Sequence, residues 1–317
     1  MPLSSLPPNT KPASAAAFSA AIELPRVRRL FARPARVRES DFLRRDIAAR
    51  MFERLELIKI NPALVLDAGC GEGADLPILQ QRCPAARIIG LDAAPAMLAV
   101  AAERQQAGRS TLNRLFKALL PGSPPALSQD LLAGDFSQLP FARQALDLIW
   151  SNLALHWHPQ PDLVIAEWRR VLNVNGLLMF SCFGPDTFKE LRTAFAEADL
   201  AEHVLPFVDM HDFGDMLVNV GFSTPVMDME AITVTYESVA RLLADVRAFG
   251  GNPLASGRQG LMGRGAMARA TSALHAMRGP DGRISLSFEV IYGHAFRPPP
   301  RLTASGESII RFDLPKK

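Results

Sequence analysis

Ten residues, Leu64-Val65-Leu66-Asp67-Ala68-Gly69-Cys70-Gly71-Glu72-Gly73, constrain this chain more than any other stretch. The apolar run Leu64–Leu66 reads as a short buried strand. Glycines at alternate positions then permit a tight strand-to-helix turn, because backbone without a Cβ reaches positive φ and lets a ligand approach closely. A dinucleotide fingerprint spaces its glycines G-x-G-x-x-G, with an acid about 20 residues downstream for the ribose. Here they fall as G-x-G-x-G, and Asp67 stands two residues before the first. That spacing counts against a nicotinamide dinucleotide.

Three further segments follow in order. Arg87–Asp92 reads as a second strand ending in an acid, placed where a carboxylate can accept both hydroxyls of a ribose. Ala93-Ala94-Pro95-Ala96-Met97-Leu98 then opens a helix. Gly134-Asp135-Phe136 precedes Leu139-Pro140-Phe141, and Leu146–Asn152 reads as another strand. Together with the glycine loop, these segments resemble the class I S-adenosylmethionine (SAM) methyltransferases. The resemblance implies an α/β fold, Rossmann-like, with a seven-stranded mostly parallel sheet, helices on both faces and helical inserts near the C-terminal strands. It implies SAM as cofactor, with the methionine end in the loop formed by Asp67, Gly69, Cys70 and Gly71. Asp92 would hold the ribose beside Ala93 and Met97, Asp135 the adenine amine beside Phe136, and Asn152 the end of the fourth strand. A Rossmann-like domain with another ligand, or with none, stays as the alternative.

Composition sets the outer bounds. The chain has 317 residues, 48% hydrophobic and 21% charged, enough to bury a full core as one elaborated domain. No apolar run approaches the ~20 residues of a membrane helix. The net charge of +3 is mild but uneven. Arginines 26, 28, 29, 33, 36, 38, 44, 45 and 50 crowd one stretch, which suits either an acidic partner or a solvated helix face. Cys70, Cys83 and Cys182 show no C-x-x-C pairing and point to a reducing, cytoplasmic setting without a disulfide framework. An acid-poor N-terminus leaves an organelle transit peptide open, although arginines begin only at position 26.

The expected organisation is a disordered tail over 1–24, an N-terminal lid helix within 25–60, a methyltransferase domain over 61–297 and a C-terminal tail over 298–317. Residues 39–59 carry Phe42, Leu43, Ile47, Met51, Phe52 and Leu55 at helical spacing, fitting a lid over the cofactor or a plain packing helix. Pro121-Gly122-Ser123-Pro124-Pro125 marks a loop within an insert at 108–129, whose Leu112, Leu115, Phe116 and Leu119-Leu120 suggest a short helix. A helix is expected over 161–174, a turn at Asn175-Gly176, a strand over Leu177–Phe183 and a helix beginning at Gly184-Pro185-Asp186. His211–Val220 reads as a helix stopped by Gly221, Thr224–Tyr236 and Arg283–Phe296 as strands, and Glu237–Phe249 as a helix. A flexible run with Arg258, Arg264 and Arg269 follows Gly250-Gly251-Asn252-Pro253. The pieces at about 184–210 and 237–282 are the natural substrate cover. His156 and Trp157 come just after the fourth strand, beyond the strand ends where ligands of an open parallel sheet sit. His156 and His158 lack further ligands at metal spacing, so no metal is expected.

About residues 28–297 resemble the malonyl-acyl-carrier-protein O-methyltransferases of biotin synthesis. The resemblance rests on Asp41–Leu55, Ser151–Trp157, Phe183–Arg192 and Asp245–Asn252. The same stretches resemble the methyltransferase-like assembly factor of respiratory complex I, associated with arginine hydroxylation. The first family implies an acidic acyl carrier protein bearing malonyl as partner. The malonyl carboxylate is ionised at pH 7, with a pKa near 4, and needs a cation rather than a base. Arg192 or Arg247 would clamp it, with Tyr236 and His156 as neutral donors. That family often carries a tyrosine in its N-terminal lid; this chain has only Tyr236 and Tyr292. A small-molecule methyltransferase and a non-catalytic SAM-binding module share the same core. Nucleic-acid methylation is disfavoured, since Asn152-Leu153-Ala154-Leu155 stands where an Asn/Asp-Pro-Pro-Tyr/Phe motif would be. The sequence leaves the oligomeric state open.

Overall fold

The computed structural model describes residues 22–107, 130–198, 202–254 and 262–300. Seven strands form one sheet: β1 (Leu64–Ala68), β2 (Arg87–Asp92), β3 (Asp130–Ala133), β4 (Leu146–Asn152), β5 (Leu172–Phe183), β6 (Ser223–Tyr236) and β7 (Ile284–Phe296). Their order is β3-β2-β1-β4-β5-β7-β6. The first five run parallel, and β7 lies antiparallel between β5 and β6. Strand order reverses between β1 and β4, which opens a crevice beyond their carboxyl ends. Asp67, Asp92 and Asn152 all lie at that edge.

Burial follows the two-residue period of a pleated sheet covered on both sides. In β5, Leu177, Met179 and Phe183 join one apolar layer while Leu178, Phe180 and Cys182 join the other. In β7, Ile284, Leu286, Phe288, Val290 and Tyr292 all face the first layer, as their alternation in sequence requires. That layer is covered by α3 (Asp41–Glu56) and α4 (Leu76–Arg82), with α5 (Pro95–Ala107) following β2. The opposite layer is covered by α6 (Pro161–Val171) and, further along the chain, by Met210–Val220. Among the described residues, no helix is long and apolar enough to cross a membrane.

The segment before β1 is three helices, α1 (Leu24–Phe31), α2 (Pro34–Arg38) and α3, rather than one. Pro25 and Pro34 sit in the first turns of α1 and α2, where a missing N–H costs no hydrogen bond. On α3, Leu43, Ile47, Met51 and Leu55 are buried against the sheet, and Phe52 stacks on Trp150 at 4.3 Å. The outer rim of α3 is tied down by Arg50 to Glu230 at 2.6 Å and by Arg54 to Asp228 and Glu230. Much of the arginine-rich stretch is thus engaged internally: Arg28 pairs with Asp135, Arg38 with Glu72 and Arg45 with Asp75. Arg29, Arg33 and Arg36 form no ion pair among the described residues, and Arg29 and Arg33 are exposed.

Several boundaries differ from the sequence reading. The fourth-strand helix α6 stops at Val171, and β5 begins at once at Leu172. The Arg297 guanidinium donates to the carbonyls of Arg169, Arg170 and Leu172, which satisfies the helix end, while Asn175 takes φ +63° inside β5. After β5, Gly184–Phe188 is a run of turns and α7 (Lys189–Ala196) starts later than expected. Next come α8 (Met210–Val220), capped by the Asp209 side chain and closed by Gly221 at φ +93°, and α9 (Val239–Ala248). The expected flexible run is instead α10 (Arg264–Ala276), whose Ala-rich sequence favours helix and buries Ala270 and Leu274 one turn apart. The 108–129 insert and Arg258 lie outside the described residues, and β3 had no sequence signal that was read. Ile47 is fully buried in the α3–sheet layer. Replacing it with Ala is expected to cost about 2–5 kcal/mol in urea unfolding, with an unchanged m-value.

Candidate active site

At the end of β1 the chain turns through Gly69, Gly71 and Gly73, all at positive φ (83°, 53° and 67°). A Cβ on Gly69 would lie 2.4 Å from that of Ala154, so only glycine lets the loop pass this close to the segment after β4. The Gly69 and Cys70 amides donate to the Leu91 carbonyl at 2.8 and 3.0 Å. The Gly71 amide donates to Asp92 Oδ2 at 2.9 Å, and Ala94 donates to Asp92 Oδ1 at 2.8 Å. Asp92 therefore braces the glycine loop against the turn after β2, and each carboxylate oxygen keeps a lone pair for a further donor. Burial raises its pKa, against the pull of those two amides.

Asp67 is 2% exposed, and its Oδ2 accepts no hydrogen bond. Burial and then the neighbouring Asp75 charge push its pKa well above the usual carboxylate range. Asp75, equally buried, is fully engaged: it accepts from Arg45 at 2.5 Å, from the Trp150 indole at 2.9 Å and from the Asn152 amide at 3.2 Å. The Asn152 carbonyl oxygen accepts from Ser181 at 2.9 Å.

These groups border a cavity at the switch point, walled by Asp67, Gly69, Cys70, Gly71, Asp92, Ala93, Met97, Phe136 and Asn152. Nine of the ten residues expected at the cofactor are on that wall. Asp135 is the exception. Its Oδ1 accepts from the Ser137 amide and hydroxyl, and its Oδ2 faces Arg28, itself a wall residue. The N-terminal helices close the other side with Val27, Phe31, Val37, Arg44 and Arg45. Phe31 meets Trp157 edge-on at 5.4 Å.

Trp157 also walls a second, mostly apolar cavity, with Phe183, Phe188, Phe207, Phe249 and Arg247. Gly250, at φ +130°, packs so closely on Trp157 that a Cβ would fall 2.5 Å from the indole. Of the four residues expected at the acceptor, Arg247 is on this wall and three are elsewhere. His156 is buried among Trp157, Phe183 and Phe207, with both ring nitrogens unpartnered. Burial, with the Arg44 charge, holds its pKa at about 3, so the ring stays neutral. Arg192 is exposed and donates to the carbonyl of Pro185 at 2.9 Å. Tyr236 is buried in the main core beside Asp245, and burial raises its pKa. Sequence reasoning counted Arg44 and Arg45 only within the arginine-rich stretch and did not single out Asp75, which carried no sequence signal of its own.

The comparisons with known proteins bear on these cavities. Residues 66–180 match the family model described as a methyltransferase domain. The chain is 47% identical over 274 residues to the malonyl-[acyl-carrier protein] O-methyltransferase of Laribacter hongkongensis, covering 85% of this chain and 89% of that protein. It is 44% identical to the one of Gallionella capsiferriformans, covering 86% and 90%. The chain belongs to the malonyl-[acyl-carrier protein] O-methyltransferase family. It is a methyltransferase, and SAM is its cofactor. The YcgJ protein of Bacillus subtilis shares the fold, with a TM-score of 0.55 at 14% identity over 79% of this chain and 98% of that one.

The first cavity suits that cofactor. It offers a buried carboxylate oxygen without a donor at Asp67, an acid at the β2 end, and a glycine loop with nothing within 4 Å of where a Gly71 Cβ would be. Because the folded protein raises the Asp67 pKa, its carboxyl stabilises the apo protein only below the unfolded value near 4 and loses that contribution as pH rises through the folded value. Asp67→Asn is therefore expected to melt higher than the parent apo protein at pH 7, with the gain vanishing below about pH 4. Calorimetry with S-adenosylhomocysteine should show the same variant binding at least about tenfold more weakly.

Proposed function

We propose that this protein methylates the free carboxylate of a malonyl thioester carried on an acyl carrier protein, making a methyl ester for biotin precursor synthesis. The observation that carries the reading is the meeting of a cofactor cavity and an apolar, arginine-bearing cavity at Trp157. The names of the relatives supply the acceptor class.

Bound in the first cavity, SAM would supply an electrophilic sulfonium methyl for an acceptor oxygen lone pair. A carboxylate with a pKa near 4 already holds that lone pair at pH 7, so the chain has no proton to remove. Its residues have only to bind and orient, which can supply several kcal/mol of the barrier. Asp67, Asp92 and the glycine loop would hold the cofactor. Asn152, fixed by Asp75 and Ser181, keeps the β4 end in place. Phe183, Phe188 and Phe249 exclude water from the acceptor side. Arg247, exposed at the cavity wall, draws the carboxylate inward. His156 takes no proton, being neutral down to about pH 3.

The carrier partner is acidic. Arg29 on α1, Arg33 at the N-cap of α2 and Arg36 on α2, free of ion pairs among the described residues, would receive it beside the first cavity. The cytoplasm is the setting we assign, in keeping with three buried, unpaired cysteines.

Incubation with methyl-labelled SAM should place base-labile label on malonyl-carrier protein; label absent despite cofactor binding would sink the assignment. Between pH 6 and 8 kcat should change by less than about twofold, because neither the carboxylate nor His156 titrates there. Arg247→Ala should raise KM for the carrier substrate by about threefold, the modest effect of an exposed charge.

A further inference from the structure

Four arginines project from α3, and three of them are matched to carboxylates. Arg45 reaches Asp75 at 2.5 Å and Asp41 at 3.4 Å; Arg50 reaches Asp46 and Glu230; Arg54 reaches Asp228 and Glu230. Arg44 has no carboxylate within ion-pair distance among the described residues. Its Nη1 donates to the Val37 carbonyl at 3.0 Å and the Ser40 hydroxyl at 2.7 Å, and its Nη2 reaches the Ala248 carbonyl at 3.5 Å. Every acceptor it meets is neutral. Asp41, whose charge does attract it, is engaged by Arg45.

The position of this charge sets it apart. Arg44 walls the cofactor cavity, while its guanidinium lies 5.8 Å from the centre of the Phe249 ring, which walls the acceptor cavity. The side chain is sunk deeply enough for burial to lower its pKa to about 10. It remains a cation at neutral pH. A half-buried guanidinium that meets only neutral dipoles carries a desolvation cost no carboxylate offsets, and an incoming anion relieves it. The seam between two cavities is where that anion would arrive. Arg247, by contrast, is exposed, and solvent screens its attraction.

We infer that Arg44 is the specificity-determining cation that receives the reacting carboxylate of the acceptor at the seam between the two cavities. The inference rests on the malonyl reading given above. One edge of the guanidinium is held by Val37 and Ser40, and Nη2 on the other edge faces the Ala248 carbonyl beside the Phe249 ring, which favours the acceptor's carboxylate over the one on the cofactor's methionine. The consequence is charge selection: methylation turns an anion into a neutral ester, which no longer compensates Arg44. Substrate is held and product is released by the same residue.

The test measures equilibrium binding of malonyl-carrier protein and of its methyl ester to the protein loaded with S-adenosylhomocysteine. The parent protein should prefer the charged form by about tenfold or more, and Arg44→Met should bring that ratio close to one. Arg44→Lys should keep an intermediate ratio, and all three proteins should bind S-adenosylhomocysteine within about threefold, which also reports an intact fold. An unchanged ratio in Arg44→Met would overturn the inference. So would collapse of the ratio in Arg247→Met instead. A loss of S-adenosylhomocysteine affinity in Arg44→Met, with the ratio kept, would assign the charge to the cofactor's carboxylate. A parent protein that ignores malonyl-carrier protein altogether would overturn the substrate reading as well.

Discussion

A buried carboxylate joins the pieces of this molecule that have to agree on a geometry. Asp75, just before α4, receives a guanidinium from α3, an indole from β4 and an amide from the last residue of that strand. With only 3% of its surface exposed, it depends on those three donors to offset what its burial takes away in solvation. Helix α3, the sheet and the turn after the glycine loop are therefore fixed relative to one another by one carboxyl group. Its cost falls on Asp67, whose own charge it disfavours. The cofactor cavity inherits from this network both its shape and its unpaired oxygen.

The lid is built in the same economical way. A helix with Leu43, Ile47, Met51 and Leu55 on one face would pack on any apolar surface. What makes α3 part of a site is its polar edge, where Arg44 and Arg45 look into the cavity while Arg50 and Arg54 grip β6. Packing and cavity wall are thus divided around one helix.

Apart from β3, the parallel half was legible because each of its signals is local. A glycine loop after an apolar run, an acid ending the next strand, and a fourth strand ending in Asn152 could be read from adjacent residues, and they converge at one edge of the sheet. The acceptor side was less legible for the opposite reason. Arg192 and Arg247 look alike as arginines on helices, yet one turns to the Pro185 carbonyl and the other to a cavity wall. His156 follows the fourth strand, as a catalytic group would, but its ring is enclosed by aromatics. Arg44 differs from Arg45 only in which carboxylates lie nearby, and these belong to residues up to 30 positions away. Partnering across the fold, rather than residue type, separates structural from functional charges here.

The position of β7 bears on how the chain comes to be folded as it is made. This strand is the last of the sheet in sequence, yet it lies inside it, between β5 and β6. Arg297, one residue beyond it, closes the end of α6, far earlier in the chain. During synthesis, β5 therefore keeps an open edge until residues 284–297 have left the ribosome, although every residue that walls the first cavity was made long before. A ribosome stalled after α10 would hold a nascent chain with the glycine loop complete and its central sheet still able to pair with the wrong strand.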